Sequence, residues 1–110
     1  MALATKSSGA QTAVISTEHT LLDTADSGTY QLKVNLTNLA NGDTVELRVY
    51  DKVRSGDAYT VVFLGTYSNA QGTDGAEVVS PPLGSPNGAK FTLKQTAGTG
   101  RVFNWSVINF

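Results

Sequence analysis

Alternation of apolar and polar residues is the strongest pattern in this chain. Residues 30–37 carry apolar side chains at every second position, and residues 45–52 repeat the pattern with Val45, Leu47 and Val49. A two-residue period is typical of a strand with one buried face and one wet face. Asn, Gly and Asp, which favour tight turns, occupy much of residues 38–43 between the two segments. The pattern therefore predicts two strands that pair as an antiparallel hairpin.

Residues 59–67, with the sequence YTVVFLGTY, differ because apolar side chains occupy successive positions. Such a run is expected of a strand that is covered on both faces. We therefore predict that this segment is a central strand in the middle of the core.

Shorter segments complete the set of expected strands. They are residues 13–17, continued at 20–22, then 77–79, 90–95 and 102–110. The last two would form a hairpin across Thr96–Gly100, while residues 80–88 contain all three prolines and are expected to be a connection. Seven or eight strands with turns at roughly ten-residue spacing indicate an all-β fold. We predict a single-domain antiparallel β-sandwich or small barrel, with a jelly roll as one such arrangement.

The first ten residues lack this patterning and include only one large aliphatic side chain after Met1, that of Leu3. Segments that are poor in apolar groups do not offset the entropy lost on ordering. We therefore expect a flexible N-terminal arm over residues 1–10 and a single domain over residues 11–110. If a partner orders this arm, Leu3 and Lys6 are the expected partner-binding residues.

Charge and composition exclude several classes of function. Eight Lys and Arg residues oppose nine Asp and Glu residues, and the basic residues are scattered along the chain, which argues against nucleic acid as a partner. The chain contains no cysteine, so it has no disulfide bonds or thiolate metal ligands. Neither a signal-peptide core nor an apolar membrane span is visible. We expect synthesis in the cytoplasm and no membrane partner.

No residue pattern predicts catalysis, a cofactor or a metal. The one histidine, His19, could be combined on paper with Ser16 and Asp23, but closeness in sequence does not establish a triad geometry. A calcium site from Asn69, Asp74 and Glu77 lacks the regular spacing of a calcium loop. The turn Gly98–Gly100 precedes a strand, so it has no helix N-terminus with which to bind phosphate.

The aromatic residues leave two interpretations open. Trp105 shares a strand face with Phe103 and Val107, which favours a core position. An exposed aromatic strip that stacks against sugars is the alternative, and the positions of Tyr50, Tyr59 and Tyr67 are undetermined.

Two segments, Asn41–Val53 (NGDTVELRVYDKV) and Phe91–Val107 (FTLKQTAGTGRVFNWSV), carry a resemblance to a known group. With Gly28–Leu32, they resemble small proteins encoded among the virion structural genes of tailed bacteriophages. In that group a proline is expected before the tryptophan, where this chain has Asn104. The resemblance implies a component of a phage particle and transfers no site residue.

These observations lead to one expected function and two alternatives. The expected function is that of a non-enzymatic virion protein, most simply a capsid decoration or cement protein that forms a homo-oligomer and docks on the major capsid protein or another virion protein. It would be made in the host cytoplasm and located in the virion. The alternatives are a glycan-binding or adhesive module and a small tail or connector protein.

Overall fold

A computed structural model describes residues 3–110 of the chain. Within this range the backbone forms nine β-strands. They are β1 (Ala4–Thr12), β2 (Glu18–Thr24), β3 (Gly28–Asn35), β4 (Thr44–Asp51), β5 (Thr60–Ser68), β6 (Glu77–Val79), β7 (Leu83–Ser85), β8 (Ala89–Ala97) and β9 (Val102–Asn109). Residues 3–110 contain no helix with the length and hydrophobicity needed to cross a membrane.

The strands form two antiparallel sheets. The first sheet has the order β1-β9-β3-β6, with β7 also paired to β3, and the second sheet has the order β2-β8-β4-β5. Most consecutive strands lie in opposite sheets, and the two orders interleave as in an eight-stranded jelly roll whose sixth strand is divided into β6 and β7. The all-β prediction and the sandwich alternative are confirmed.

The core lies between the two sheets. The inward-facing positions of β3, β4, β8 and β9 supply its largest side chains. The rings of Tyr30 on β3 and Phe91 on β8 meet across the sandwich edge to face, with centroids 6.1 Å apart and planes at 77°. Both side chains are almost completely buried, at 1% and 0% exposure. The alternation in the sequence therefore identifies the buried face of these strands correctly.

Both predicted hairpins are wrong. β3 and β8 pair with strands of their own sheets, and their successors β4 and β9 lie in the opposite sheets. Residues 36–43 and 98–101 consequently connect the two layers. A strand with one buried face satisfies its pattern whether its successor lies beside it or across the core, so alternation does not identify the pairing partner.

The predicted N-terminal arm is also wrong from Ala4 onward, while residues 1 and 2 lie outside the described range. Residues 4–12 form β1, which pairs with β9 from Ala4↔Asn109 to Thr12↔Val102. The predicted strand over residues 13–17 is instead the turn between β1 and β2, where Ser16 has a φ of 66°. Backbone pairing to β9 holds β1 in place, although most of its side chains are exposed.

Trp105 lies on the inner face, as its spacing from Phe103 and Val107 predicts. It stands opposite the buried Val34 on β3 and opposite Gly9 on β1. Its side chain is half-buried and packs against the core cluster. A Cβ added at Gly9 would lie 3.4 Å from the indole ring, so β1 covers part of this tryptophan.

Candidate interaction surface

β5 forms one edge of the second sheet, which contradicts its predicted place in the middle of the core. Within the described residues it pairs with β4 alone, so one row of its backbone N–H and C=O groups has no strand beside it. Three of its apolar side chains are also exposed: Val61 at 41%, Val62 at 52% and Leu64 at 51%. Residues 3–110 form only two sheets, so no second layer covers the outer face of β5. An apolar run therefore does not by itself show that both faces of a strand are covered.

The free side of β5, called the β5 edge below, differs from the other edges formed by residues 3–110. β1 and β2 carry charged residues, Lys6 on the former and Glu18 and Asp23 on the latter. β6 and β7 are three residues each and are separated by two prolines. Charges, prolines and short strands all discourage edge-to-edge pairing. β5 is nine residues long and contains no charged residue or proline, and its one irregularity lies near Val62.

The inner face of β5 attaches it firmly to the sandwich. Phe63 and Tyr67 are half-buried and pack against the core. Gly65 lies between them and is buried, and a Cβ at this position would lie 2.8 Å from the Tyr67 ring. The missing side chain lets the ring lie against the strand. The β5 edge is thus a stably placed strand rather than a frayed one.

A polar cluster occupies the outer face of the second sheet beside β5. The Glu18 carboxylate accepts hydrogen bonds from the Tyr50 hydroxyl and from the Thr92 hydroxyl, the latter at 2.7 Å. The bond from Tyr50 is the main cause that lowers the pKa of Glu18. Tyr59 donates a hydrogen bond to Asp23 at 2.6 Å. Burial is the main cause that raises the pKa of Tyr59 to about 12, and this hydrogen bond is the second cause.

The aromatic rings in this cluster do not form a flat platform. Tyr50 and Tyr59 meet edge to face, with planes at 67°. The ammonium group of Lys52 lies 4.6 Å from the centre of the Tyr59 ring, and that of Lys90 lies 5.2 Å from the Tyr50 ring. A sugar ring stacks on an exposed aromatic face, and lysines lie over a face of each of these two rings. Nothing in this arrangement favours the glycan-binding alternative.

Asp43 holds one end of the sandwich together. Its side chain is 2% exposed, and it accepts hydrogen bonds from Arg101 Nε at 2.8 Å, the Ala40 amide at 2.9 Å and the Thr99 amide at 3.2 Å. These bonds join the β3–β4 connection to the β8–β9 connection. The bond from Arg101 is the first cause of a lowered pKa at Asp43, and the amide of Ala40 is the second.

The lowered pKa predicts that Asp43 stabilises the fold at neutral pH and loses this effect in acid. A carboxyl whose pKa falls on folding adds stability above its unfolded pKa of about 3.9, and this stability is lost as the pH falls through the folded pKa. Asp43→Asn should therefore melt below wild type at neutral pH, and the difference should shrink between about pH 5 and about pH 2. Melting curves of both proteins across this range provide the measurement. A difference that stays constant over this range would show that folding does not lower the pKa of Asp43.

The structure places the sequence-predicted partner residues at the start of the first sheet. Leu3 is 67% exposed and precedes β1. The Lys6 ammonium binds the Asp26 carboxylate of the same chain, in the β2–β3 connection. The two residues thus lie at an edge other than β5, and a partner contact at either one stays a prediction.

The other candidate residues have separate local partners. His19 Nε2 accepts a hydrogen bond from the Val14 amide at 3.0 Å, whereas Asp23 binds Tyr59. Asn69 Oδ1 accepts from the Gly42 amide at 3.0 Å. Among residues 3–110 no three His, Asp or Glu side chains are grouped so as to hold a metal ion. Sequence reasoning missed the β5 edge, whose only signal was an uncharged nine-residue apolar strand.

Comparison of the chain with protein-family models, with curated proteins and with solved structures finds no match.

Proposed function

We propose that this chain is a non-enzymatic structural protein of a tailed-bacteriophage particle, in which it decorates or cements the capsid. The β5 edge is the observation that carries this proposal. A long, uncharged edge strand with exposed apolar side chains is an aggregation hazard in a free monomer. In an assembly the same feature provides backbone hydrogen bonds and apolar contacts to a neighbouring chain.

Two further features support an assembly role. The jelly-roll sandwich is a fold that viral capsid domains use, although lectin domains and cupins share it, so the fold alone does not select the function. The outer face of the first sheet offers an additional contact surface. It carries mostly small neutral side chains on β1 and β9, and a shallow depression of about 190 Å³ lies beside Lys33, Asn35 and Asn104. A capsid protein that covers this surface would have to supply hydrogen bonds to its polar side chains.

The proposal is tested by searching for the chain in purified particles. Particles from the phage or prophage that encodes the chain should be purified by density gradient and analysed by quantitative mass spectrometry. A decoration protein should be present in numbers comparable with the major capsid protein, whereas a tail or connector protein should be present in a small fraction of that number. Absence of the chain from washed particles would overturn the proposal.

A second experiment distinguishes a protein that stabilises the capsid from one that is only present in the particle. Particles made without the gene should lose heat resistance, and added purified protein should restore it. Glycan-array screening of the same protein provides the contrast, since selective glycan binding without any effect on particles would favour the adhesive module instead.

A further inference from the structure

The β5 edge requires a partner of particular chemistry. Nine residues of extended backbone span about 30 Å and present alternating free N–H and C=O groups along one side. A partner strand must satisfy these groups and cover Val62 and Leu64, which are more than half exposed. Because β5 carries no charge, it has no ionic group with which to select a charged peptide.

Another copy of β5 meets these requirements. We propose that two chains pair through β5 in antiparallel orientation, so that the two second sheets form one continuous eight-stranded sheet. Two-fold symmetry is the commonest arrangement of homo-oligomers, and it requires a surface that complements itself. The β5 edge can complement itself, because it is uncharged and no like charges oppose one another across the two-fold axis. This inference deepens the proposed function, on which it rests, by naming the partner of the β5 edge.

β5 has an irregularity between Val61 and Phe63, so regular pairing with a second copy is centred on the residues that follow it. The two-fold axis is placed at Leu64, so that Phe63 of each chain lies opposite Gly65 of the other. Leu64 then faces Leu64 of the second copy, since directly opposed residues lie on the same face of an antiparallel pair. The two leucines cover each other on the outer face of the sheet, and their apolar surface leaves water.

The neighbouring strand does not oppose this arrangement. Leu64 lies opposite Arg48 on β4, and Arg48 Nη1 lies 3.0 Å from Glu46 Oε1, at ion-pair distance though without hydrogen-bond alignment. The cation nearest to the new contact is therefore balanced within each chain. One strand pair is small beside the interface of about 800 Å² per partner found in stable complexes, so the dimer should be weak and concentration-dependent.

The first test measures dimerisation in solution by sedimentation velocity over a concentration series. Leu64→Lys places a charge against its own copy across the axis and should weaken dimerisation at least tenfold. Val102→Lys is the matched control, because Val102 is 41% exposed and lies on β9 of the other sheet. We expect the control to dimerise like wild type. Wild type that remains monomeric at millimolar concentration, or equal dimerisation of all three proteins, would overturn the inference.

The second test uses the absence of cysteine from the chain, which allows single-cysteine variants without background. Opposed Cβ atoms in an antiparallel pair lie about 4.5–5.5 Å apart, close to the geometry of a disulfide. Leu64→Cys should therefore form a covalent dimer on mild oxidation. Thr20→Cys, exposed on β2 at the opposite edge of the same sheet, is the control and should crosslink much more slowly. Equal rates for the two variants would contradict the proposed register.

These measurements use purified protein, so they fail independently of the particle experiments. A monomeric chain that is found on capsids would overturn the β5 pairing and leave the proposed function intact. A chain that dimerises through β5 but is absent from particles would overturn the proposed function and leave the β5 pairing intact. Circular dichroism and melting of Leu64→Lys show whether the variant folds, and the cysteine pair provides the test if it does not.

Discussion

Replacement of Phe91 with alanine should lower the free energy of unfolding by about 3–5 kcal/mol, a large part of the roughly 5–15 kcal/mol available to a small domain. Phe91 is 0% exposed, lies on the inner face of β8 and contacts the Tyr30 ring across the sandwich. The substitution would leave a cavity between two sheets that cannot collapse onto each other without disturbing the neighbouring strands. Chemical denaturation at low protein concentration provides the measurement.

Leu64→Ala is the control for this prediction. Leu64 is also a large apolar residue in a strand, yet half of its surface is exposed. Its truncation should cost less than about 1 kcal/mol in the dilute monomer, where little buried area is lost. Equal losses for the two variants would mean that β5 is packed more deeply than the structure shows.

Replacement of Gly98 with alanine should be nearly as damaging, for a different reason. Gly98 has a φ of 88°, in the left-handed region that costs other residues about 1–2 kcal/mol. A Cβ at this position would also overlap the Asp43 carboxylate and lie 2.8 Å from Asp43 Cα. Overpacking adds about 1–3 kcal/mol, and displacement of Asp43 would break its bonds to Thr99 and Arg101.

Gly56→Ala separates the two contributions to this loss. Gly56 has a φ of 87°, and a Cβ there would meet no atom within 4 Å. It should therefore show the backbone strain alone. The difference in unfolding free energy between the two variants measures the contact with Asp43. If Gly98→Ala is no worse than Gly56→Ala, the β8–β9 connection moves freely and Asp43 does not hold it.

Sequence patterns identified the buried faces of the central strands well. The alternation at Tyr30, Leu32 and Val34 reports which side chains leave water, and these three residues are each 1% exposed. The same pattern does not report the hydrogen-bonding neighbour, which is why two crossovers between sheets were predicted as hairpins. Burial is a local property of a strand, whereas pairing depends on the topology of the whole domain.

Three strands escaped correct prediction. β7 lies within residues 80–88, which the prolines led us to expect as a connection. β1 and β5 escaped because their side chains contribute little or contribute misleadingly. β1 is rich in Ser, Thr, Ala and Gly, and backbone bonds to β9 hold it with few buried side chains. β5 shows the opposite case, since its apolar residues suggest burial that the single chain does not provide. Val61, Val62 and Leu64 would obtain that burial from a neighbouring chain, as the proposed pairing describes. The error in the prediction therefore coincides with the candidate site.

Backbone hydrogen exchange in β5 at low and high protein concentration tests the central claim, that the β5 edge is the assembly surface, most directly. In the dilute monomer about half of the β5 amides point away from β4 and should exchange fast, because outward and inward groups alternate along an antiparallel strand. We predict that these amides of residues 60–68 become protected as the concentration rises, while exchange in β1 does not change. Exchange in β5 that is independent of concentration, with protection appearing in β1 or β2 instead, would contradict the account.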